Sequence, residues 1–442
     1  MTATATRKLF GTDGVRGVAG EFLTADLALG LARAATLRAG ADRPQVLLIR
    51  DTRESGEMLE AAMAAGVTAA GGDALLGGVL PTPAAALLVQ RYGFDLAAVI
   101  SASHNPYADN GIKFFGADGH KLTDETEAEI ERILDEPAPA PARIGRVRTL
   151  HATLEDYLRA LHERFRDLDL SGRRILLDCA NGATYRAAPE IFRRLGAEVT
   201  VRAGEPDGRN INEGCGSTHV EAAAEQVVAG GHDLGFAFDG DGDRVLAIDR
   251  NGSVVDGDEL IALAALHLRA TDRLPGNGVA VTVMTNYGFR TAMERHGVEV
   301  AITKVGDRYV LEELRERGWA LGGEQSGHII DRGFAPSGDG TAAALLTMEA
   351  LGDGDLADRD AMEKLPQRLV NVRVANRDGL AGATNVEQSI EREQAALEGR
   401  GRVLVRPSGT EPVVRVMVEA PTADEAHAVC DRLVQVVEAE LG

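Results

Sequence analysis

Short apolar runs recur along most of the chain, and each is followed by a segment whose apolar residues repeat with helical spacing. The runs at 46–50 and 96–100 read as buried strands, and 58–70 and 123–134 read as helices. Strands that alternate with helices fold as βα units around a mostly parallel sheet, because parallel strands need a crossover to join them. A second round follows, with helices at 154–165, 185–195 and 220–229 and strands at 175–178, 198–201 and 234–238. A third has helices at 259–269, 289–296 and 308–317 and strands at 279–284 and 298–303. The last segment breaks the pattern: strand 369–374, helix 386–397, strands 402–405 and 413–419, and a long helix from 423. The expected class is therefore α/β, with three topologically similar α/β domains and a smaller C-terminal α+β domain. The expected boundaries are 1–150, 151–255, 256–366 and 367–442. The stretch 136–143 holds three prolines and is expected to be an extended linker or inter-domain crossing.

Composition excludes several function classes. Asp plus Glu outnumber Lys plus Arg 68 to 47, a net charge of −21. Such a surface argues against non-specific binding to nucleic acid or to anionic membrane. Three cysteines, Cys179, Cys215 and Cys430, are too few and too scattered for a disulfide framework or a zinc site. The most apolar stretch, 74–89, contains Pro81 and Pro83 and is too short to span a bilayer. No signal-peptide core opens the chain, so a soluble, cytoplasmic protein is expected.

Phe238-Asp-Gly-Asp-Gly-Asp-Arg244 carries the most chemistry. It lies at the C-terminal end of an expected strand, where α/β sheets place ligands. Two carboxylates at ~4 Å repel by about 4 kcal/mol at an effective dielectric of ~20. Asp239, Asp241 and Asp243 therefore either share a cation or splay into water. All-oxygen donors favour Mg²⁺ or Ca²⁺ over zinc. An EF-hand starting at Asp239 would need Gly and Glu where Arg244 and Arg250 stand, so that reading fails.

Ile100-Ser-Ala-Ser-His-Asn-Pro106 continues to Asn110-Gly111-Ile112-Lys113. The Asn110-Gly111 pair is expected to form a turn that folds Lys113 back toward Ser103. A serine beside His104, with a returning lysine, can act as a nucleophile with acid/base help. A polar loop that only satisfies its own backbone would use the same residues. The loop 322–328 offers Glu324 and Ser326 to a polyhydroxylated ligand, although taken alone an ordinary turn is the better account of it. Arg406-Pro-Ser-Gly-Thr-Glu-Pro412, with Arg415 on the next strand, can cradle a phosphate or be a plain hairpin. The N-terminal loop 10–17 carries Arg16, but its glycine spacing does not match the dinucleotide fingerprint. No G-K-[ST] follows a glycine loop anywhere, which excludes a Walker-type NTPase.

Taken together, Leu9–Gly17 (LFGTDGVRG), Ser101–Phe115 (SASHNPYADNGIKFF), Asn210–His219 (NINEGCGSTH), Gly322–His328 (GGEQSGH) and Arg406–Pro412 (RPSGTEP) resemble the α-D-phosphohexomutase superfamily along essentially the whole chain. The resemblance implies four domains around a central cleft, with Ser103 as the phosphorylated serine. It implies one Mg²⁺ held by Ser103, Asp239, Asp241 and Asp243. Lys113, His328 and Arg16 match acid/base positions, with Arg16 read as an electrostatic clamp because its guanidinium does not readily lose a proton. Arg244, next to the metal loop, would support the transferring phosphate, and His104 stands among the catalytic residues beside Ser103. Glu324 and Ser326 would read the sugar, and Arg406, Ser408, Gly409, Thr410 and Arg415 would hold the distal phosphate.

Gln325 stands where the glucose- and mannose-phosphate branch usually has Met, so the resemblance points to glucosamine 6-phosphate, glucosamine 1-phosphate and a glucosamine 1,6-bisphosphate intermediate. The partner is then a small sugar phosphate, with no nucleic acid and no membrane; a homodimer is admitted but not required. The alternatives are the glucose/mannose-phosphate branch, a haloacid-dehalogenase-like phosphotransferase using Asp239 as nucleophile and Asp241 as acid/base, and a non-catalytic sugar-phosphate-binding protein.

Overall fold

The structure, a computed structural model, describes residues 9–11, 13–137, 139–408 and 413–442. It divides into two compact units, Met1–Val283 with Glu299–Arg359, and Met284–Val298 with Asp360–Gly442.

The first unit contains three sheets. The first has six strands in the order Val15–Val18, Asp109–Gly116, Leu96–Ile100, Gln45–Arg50, Asp73–Val79 and Val147–Thr149. Its central strands run parallel, and Asp109–Gly116 turns back antiparallel to Leu96–Ile100. Val46 and Leu48 face one way and Leu47 and Ile49 the other, yet all four are at most 1% exposed. Burial on both faces is why this strand reads as an uninterrupted apolar run. Helices Ala25–Ala39, Ser55–Ala69 and Asp124–Leu134 close one face through Leu31, Met63, Val67 and Ile130.

The second sheet orders Val254–Val255, Val245–Asp249, Leu234–Phe238, Arg174–Asp178 and Glu198–Arg202, and the third orders Glu299–Thr303, Gly278–Thr282, Leu321–Gly323 and Ile329–Asp331. The second unit holds an antiparallel sheet of Gln367–Arg373, Val413–Glu419 and Arg402–Pro407. Helix Ala423–Leu441 covers it through Ala426, Val429 and Leu433. Three α/β sheets and one α+β unit are the expected class. Among the described residues no helix is long and apolar enough to cross a membrane.

Two stretches can be placed, and one expectation needs correction. The apolar stretch 74–89 is a strand followed by a helix, Asp73–Val79 and then Thr82–Tyr92. Pro81 caps that helix and Pro83 lies in its first turn, where a missing N–H costs nothing. The proline-rich stretch 136–143 leads back to Val147–Thr149, which pairs with Asp73–Val79 at the edge of the first sheet. Asn110-Gly111 is not a turn, because it lies inside strand Asp109–Gly116. The reversal is made by the loop before it, and Ile100 pairs with Ile112 across the closed end. Glycine at 111 serves close approach: a Cβ there would meet the Ser101 carbonyl oxygen at 2.4 Å and Arg16 Cγ at 3.1 Å.

Gly111→Ala is therefore expected to lower stability by roughly 1–3 kcal/mol, the usual cost of overpacking. A urea melt shows this as a lower midpoint, and an unchanged midpoint would contradict the close approach.

Candidate active site

Two sheet-end loops make the site. The first joins Leu96–Ile100 to Asp109–Gly116 and carries Ser103 and His104. The second joins Leu234–Phe238 to Val245–Asp249, which pair at Phe238 and Val245, and carries the three aspartates. The loops touch through backbone. A Cβ on Gly240 would come within 2.5 Å of the Ser103 carbonyl oxygen, so only glycine lets the second loop lie against the first. Thr82 ties the second loop down, its N–H donating to the Asp241 carbonyl at 2.8 Å and its hydroxyl to Asp241 Oδ2 at 2.7 Å.

Ser103 and the aspartates meet directly. The Ser103 hydroxyl donates to Asp239 Oδ2 at 2.6 Å, and His104 Nδ1 lies 3.3 Å from the same hydroxyl. One oxygen from each of Asp239, Asp241 and Asp243 lies within 4.8 Å of the others, and all three residues are buried. The cluster is hard and all-oxygen, and Asp241 Oδ1 and Asp243 Oδ1 are buried without a hydrogen-bond partner. With these two buried oxygens free to accept, the all-oxygen donor set fits a divalent cation of the Mg²⁺ or Ca²⁺ type.

Cationic side chains answer the cluster. Lys113 Nζ lies 3.0 Å from Asp241 Oδ2 and 3.1 Å from Asp13 Oδ2. Lys121 bridges Asp13 at 2.7 Å and Asp307 at 2.6 Å. His328 Nδ1 lies 3.6 Å from Asp243 Oδ2, and its Nε2 is 3.8 Å from Asp307 Oδ2. Asp241, Lys113, Asp13, Lys121, Asp307, His328 and Asp243 thus alternate in sign around the site. Arg16 pairs with Asp13, and the Arg244 N–H donates to Asp239 Oδ1 at 3.1 Å.

This arrangement sets the protonation states. Burial, with the charges of Asp243 and Asp241, pushes Asp239 well above the carboxylate range. Burial would also raise Asp243, but His328, Lys113 and Arg244 hold it below that range. Burial works against the Lys113 ammonium, yet Asp13, Asp241 and Asp243 raise its pKa, so it keeps its proton. Burial likewise opposes the His328 imidazolium, and Asp243 and Asp307 outweigh it and raise the pKa. His104 moves the other way, lowered by burial and by Arg244 and Arg16, and is neutral at pH 7.

A cavity of about 300 Å³ opens onto these groups, lined by Asp13, Arg16, His104, Asp243, Arg244, Glu324 and His328 among others. Glu324 Oε1 accepts the Gly306 N–H at 3.0 Å, while Ser326 is exposed on the adjoining turn. In the second unit, Arg406 and Arg415 sit opposite each other across paired strands. Burial and the Arg415 charge both lower the Arg406 pKa, an arrangement that an anion would relieve. Ser408 is buried at the end of the same strand; Gly409 and Thr410 lie outside the described residues.

Of the residues the sequence points to, Arg16, His104, Asp243, Arg244, Glu324 and His328 line this cavity, and Ser103, Lys113, Asp239 and Asp241 join them through the contacts given above. Sequence reading missed Asp13, Lys121, Asp307, Thr82 and the Arg53–Asp51 pair beneath the serine loop. Asp13 lay inside a segment already singled out; the others carried no motif.

Family models for phosphoglucomutase/phosphomannomutase match the chain four times: alpha/beta/alpha domain I at 7–140, domain II at 155–252, domain III at 256–369 and the C-terminal domain at 369–436. A phosphoglucosamine mutase of Moorella thermoacetica is 50% identical over 95% of this chain and 96% of its own length. One from Geobacillus kaustophilus is 46% identical over 98% and 99%. Among solved structures, a phosphoglucomutase/phosphomannomutase family protein of Burkholderia thailandensis has a TM-score of 0.81 at 24% identity, covering 100% of this chain and 98% of that one. An Aspergillus fumigatus N-acetylphosphoglucosamine mutase, solved with GlcNAc-6P and magnesium, has a TM-score of 0.68 at 18% identity, covering 99% and 96%.

Asp241→Asn keeps the shape of the cluster and removes one charge. In the unmodified protein, Mg²⁺ at about 100 times its Kd should stabilise the first unit by ~2.7 kcal/mol. Thermal melts with and without Mg²⁺ should show that rise and its loss in the variant; an equal rise in both would remove Asp241 from the cation site.

Proposed function

The chain belongs to the phosphoglucomutase/phosphomannomutase family, and we propose that within it the activity is that of a phosphoglucosamine mutase, interconverting glucosamine 6-phosphate and glucosamine 1-phosphate. The observation that carries this reading is the 2.6 Å contact between the Ser103 hydroxyl and the aspartate cluster. It sets a nucleophile of the right kind against a site for the charge that phosphoryl transfer must neutralise.

A phosphoryl group borne on Ser103 Oγ passes to the C1 hydroxyl of glucosamine 6-phosphate. The bond from phosphorus to Ser103 breaks as the bond to the sugar oxygen forms. The sugar hydroxyl gives up its proton, and Ser103 Oγ takes one up. Glucosamine 1,6-bisphosphate then presents its other phosphate to Ser103. The reverse exchange releases glucosamine 1-phosphate and restores the phosphoserine.

Lys113, whose ammonium Asp13, Asp241 and Asp243 favour, and His328, whose imidazolium Asp243 and Asp307 favour, are placed to supply protons to departing oxygens. Neutral His104, 3.3 Å from Ser103 Oγ, can accept the serine proton when the hydroxyl attacks. The guanidinium groups of Arg16 and Arg244 steady the phosphoryl oxygens. Asp239, Asp241 and Asp243, with an oxygen of the phosphoserine, would hold Mg²⁺, which supplies charge neutralisation to the transferring group. Glu324 and Ser326 are assigned to the sugar hydroxyls, and Arg406, Ser408, Gly409, Thr410 and Arg415 to the phosphate that is not moving.

Intact-mass measurement of freshly purified protein should show a single phosphoryl adduct that disappears in Ser103→Ala, with mutase activity falling on the order of 10³-fold or more. Full activity in that variant would overturn the reading. An adduct that hydroxylamine removes would instead point to Asp239 as the nucleophile. With Mg²⁺ and a trace of bisphosphate, turnover on glucosamine 6-phosphate should exceed that on glucose and mannose 6-phosphates by about tenfold. Faster turnover on either of those sugars would assign the chain to the sister activity.

A further inference from the structure

Ser103 has φ 53°, a left-handed backbone that a serine rarely adopts. Something must hold it there: Asn212 Nδ2 donates to the Ser103 and Asn105 carbonyls at 2.9 and 3.1 Å, and Arg53, beneath the loop, engages these two carbonyls and others. Arg53 is 1% exposed. Its Nε–H donates to Asp51 Oδ2 at 2.8 Å. One terminal nitrogen donates to the Ser103 carbonyl at 3.0 Å and the Asn105 carbonyl at 2.8 Å. The other donates to the Asp109 carbonyl at 3.0 Å and to the Pro106 carbonyl. All five guanidinium protons are engaged, four of them by the backbone of the serine loop.

The same pair reaches the serine from its other side. Asp51 Oδ2 also accepts the Ser101 hydroxyl at 2.6 Å, and Ser101 Oγ accepts the Ser103 N–H at 3.0 Å. Both peptide groups flanking the Ser103 Cα are thus fixed by one buried ion pair, neither member of which touches the cavity described above.

We propose that Arg53 is the positioning residue of the nucleophile: with Asp51 and Ser101 it clamps the loop 103–109 so that Ser103 Oγ points at the aspartate cluster. This rests on the reading of Ser103 as the phosphoryl carrier. A lysine cannot replace the arginine, because a three-donor ammonium at one point cannot serve four spread carbonyls and a carboxylate. The loop keeps its sequence but loses its aim, and misplacement of about 1 Å costs on the order of 10²-fold in rate.

The test compares unmodified protein, Arg53→Lys and Ser101→Ala, each first shown by circular dichroism and melting to be folded. Rates are expressed per folded molecule. We expect kcat to fall about 10²-fold in Arg53→Lys and about tenfold in Ser101→Ala, with KM for glucosamine 6-phosphate within about threefold of the unmodified value. Single-turnover transfer from the phosphorylated enzyme should slow by the same factors. Ser101→Ala removes only one hydroxyl, so it carries the test if Arg53→Lys does not fold. Transfer at the unmodified rate in a folded variant, or a loss explained wholly by the unfolded fraction, would overturn the clamp. If the unmodified protein itself carries no phosphoserine, the functional reading fails instead, and the two failures are told apart by that control.

Discussion

Three buried carboxylates meet at residues 239, 241 and 243, and the chain around them has to answer their repulsion. At the spacings found here each pair is unfavourable by several kcal/mol in a partly screened interior. The surroundings answer it in layers. Asp239 is eased by the Ser103 hydroxyl and the Arg244 N–H, Asp241 by Lys113 and Thr82, and Asp243 by His328. Two acceptor oxygens are left over, which is the mark of a site shaped for a cation rather than for its own closure.

The outer members of the same charge network come from distant parts of the chain. Asp13 lies just before the first strand, Lys121 lies after strand Asp109–Gly116, and Asp307 opens helix Asp307–Arg317. Lys121 joins the two acids, so the N-terminal glycine-rich loop and the third sheet's helix meet at the mouth of the cavity. One network therefore counters the negative cluster and shapes the space where a phosphate dianion would have to enter a protein of net charge −21.

Much of this is legible in the sequence itself. Doubly buried strands such as Gln45–Arg50 and Leu234–Phe238 announce themselves as apolar runs, and the aspartate loop followed directly from its position after one of them. What escaped did so for physical reasons. Helix Thr82–Tyr92 begins with prolines that look like breakers when its start is unknown. Asn110-Gly111 has the composition of a hairpin turn, but its glycine serves backbone contact and its asparagine reaches Ser55 Oγ at 2.9 Å. Asp51 and Arg53 sit at a strand end with the pattern of any surface ion pair; only their burial shows that they support the loop above. Pairing partners far apart in sequence leave no periodic trace.

Every step of the proposed cycle depends on Ser103 passing its phosphoryl group to the sugar. The most direct measurement loads Ser103 with labelled phosphate, confirms the position by peptide mapping, and follows one turnover with glucosamine 6-phosphate by rapid quench. The label should leave the protein, appear first in glucosamine 1,6-bisphosphate, and end in sugar phosphate and reloaded enzyme. Label that stays on Ser103 while product forms, or that leaves only as inorganic phosphate, would contradict it.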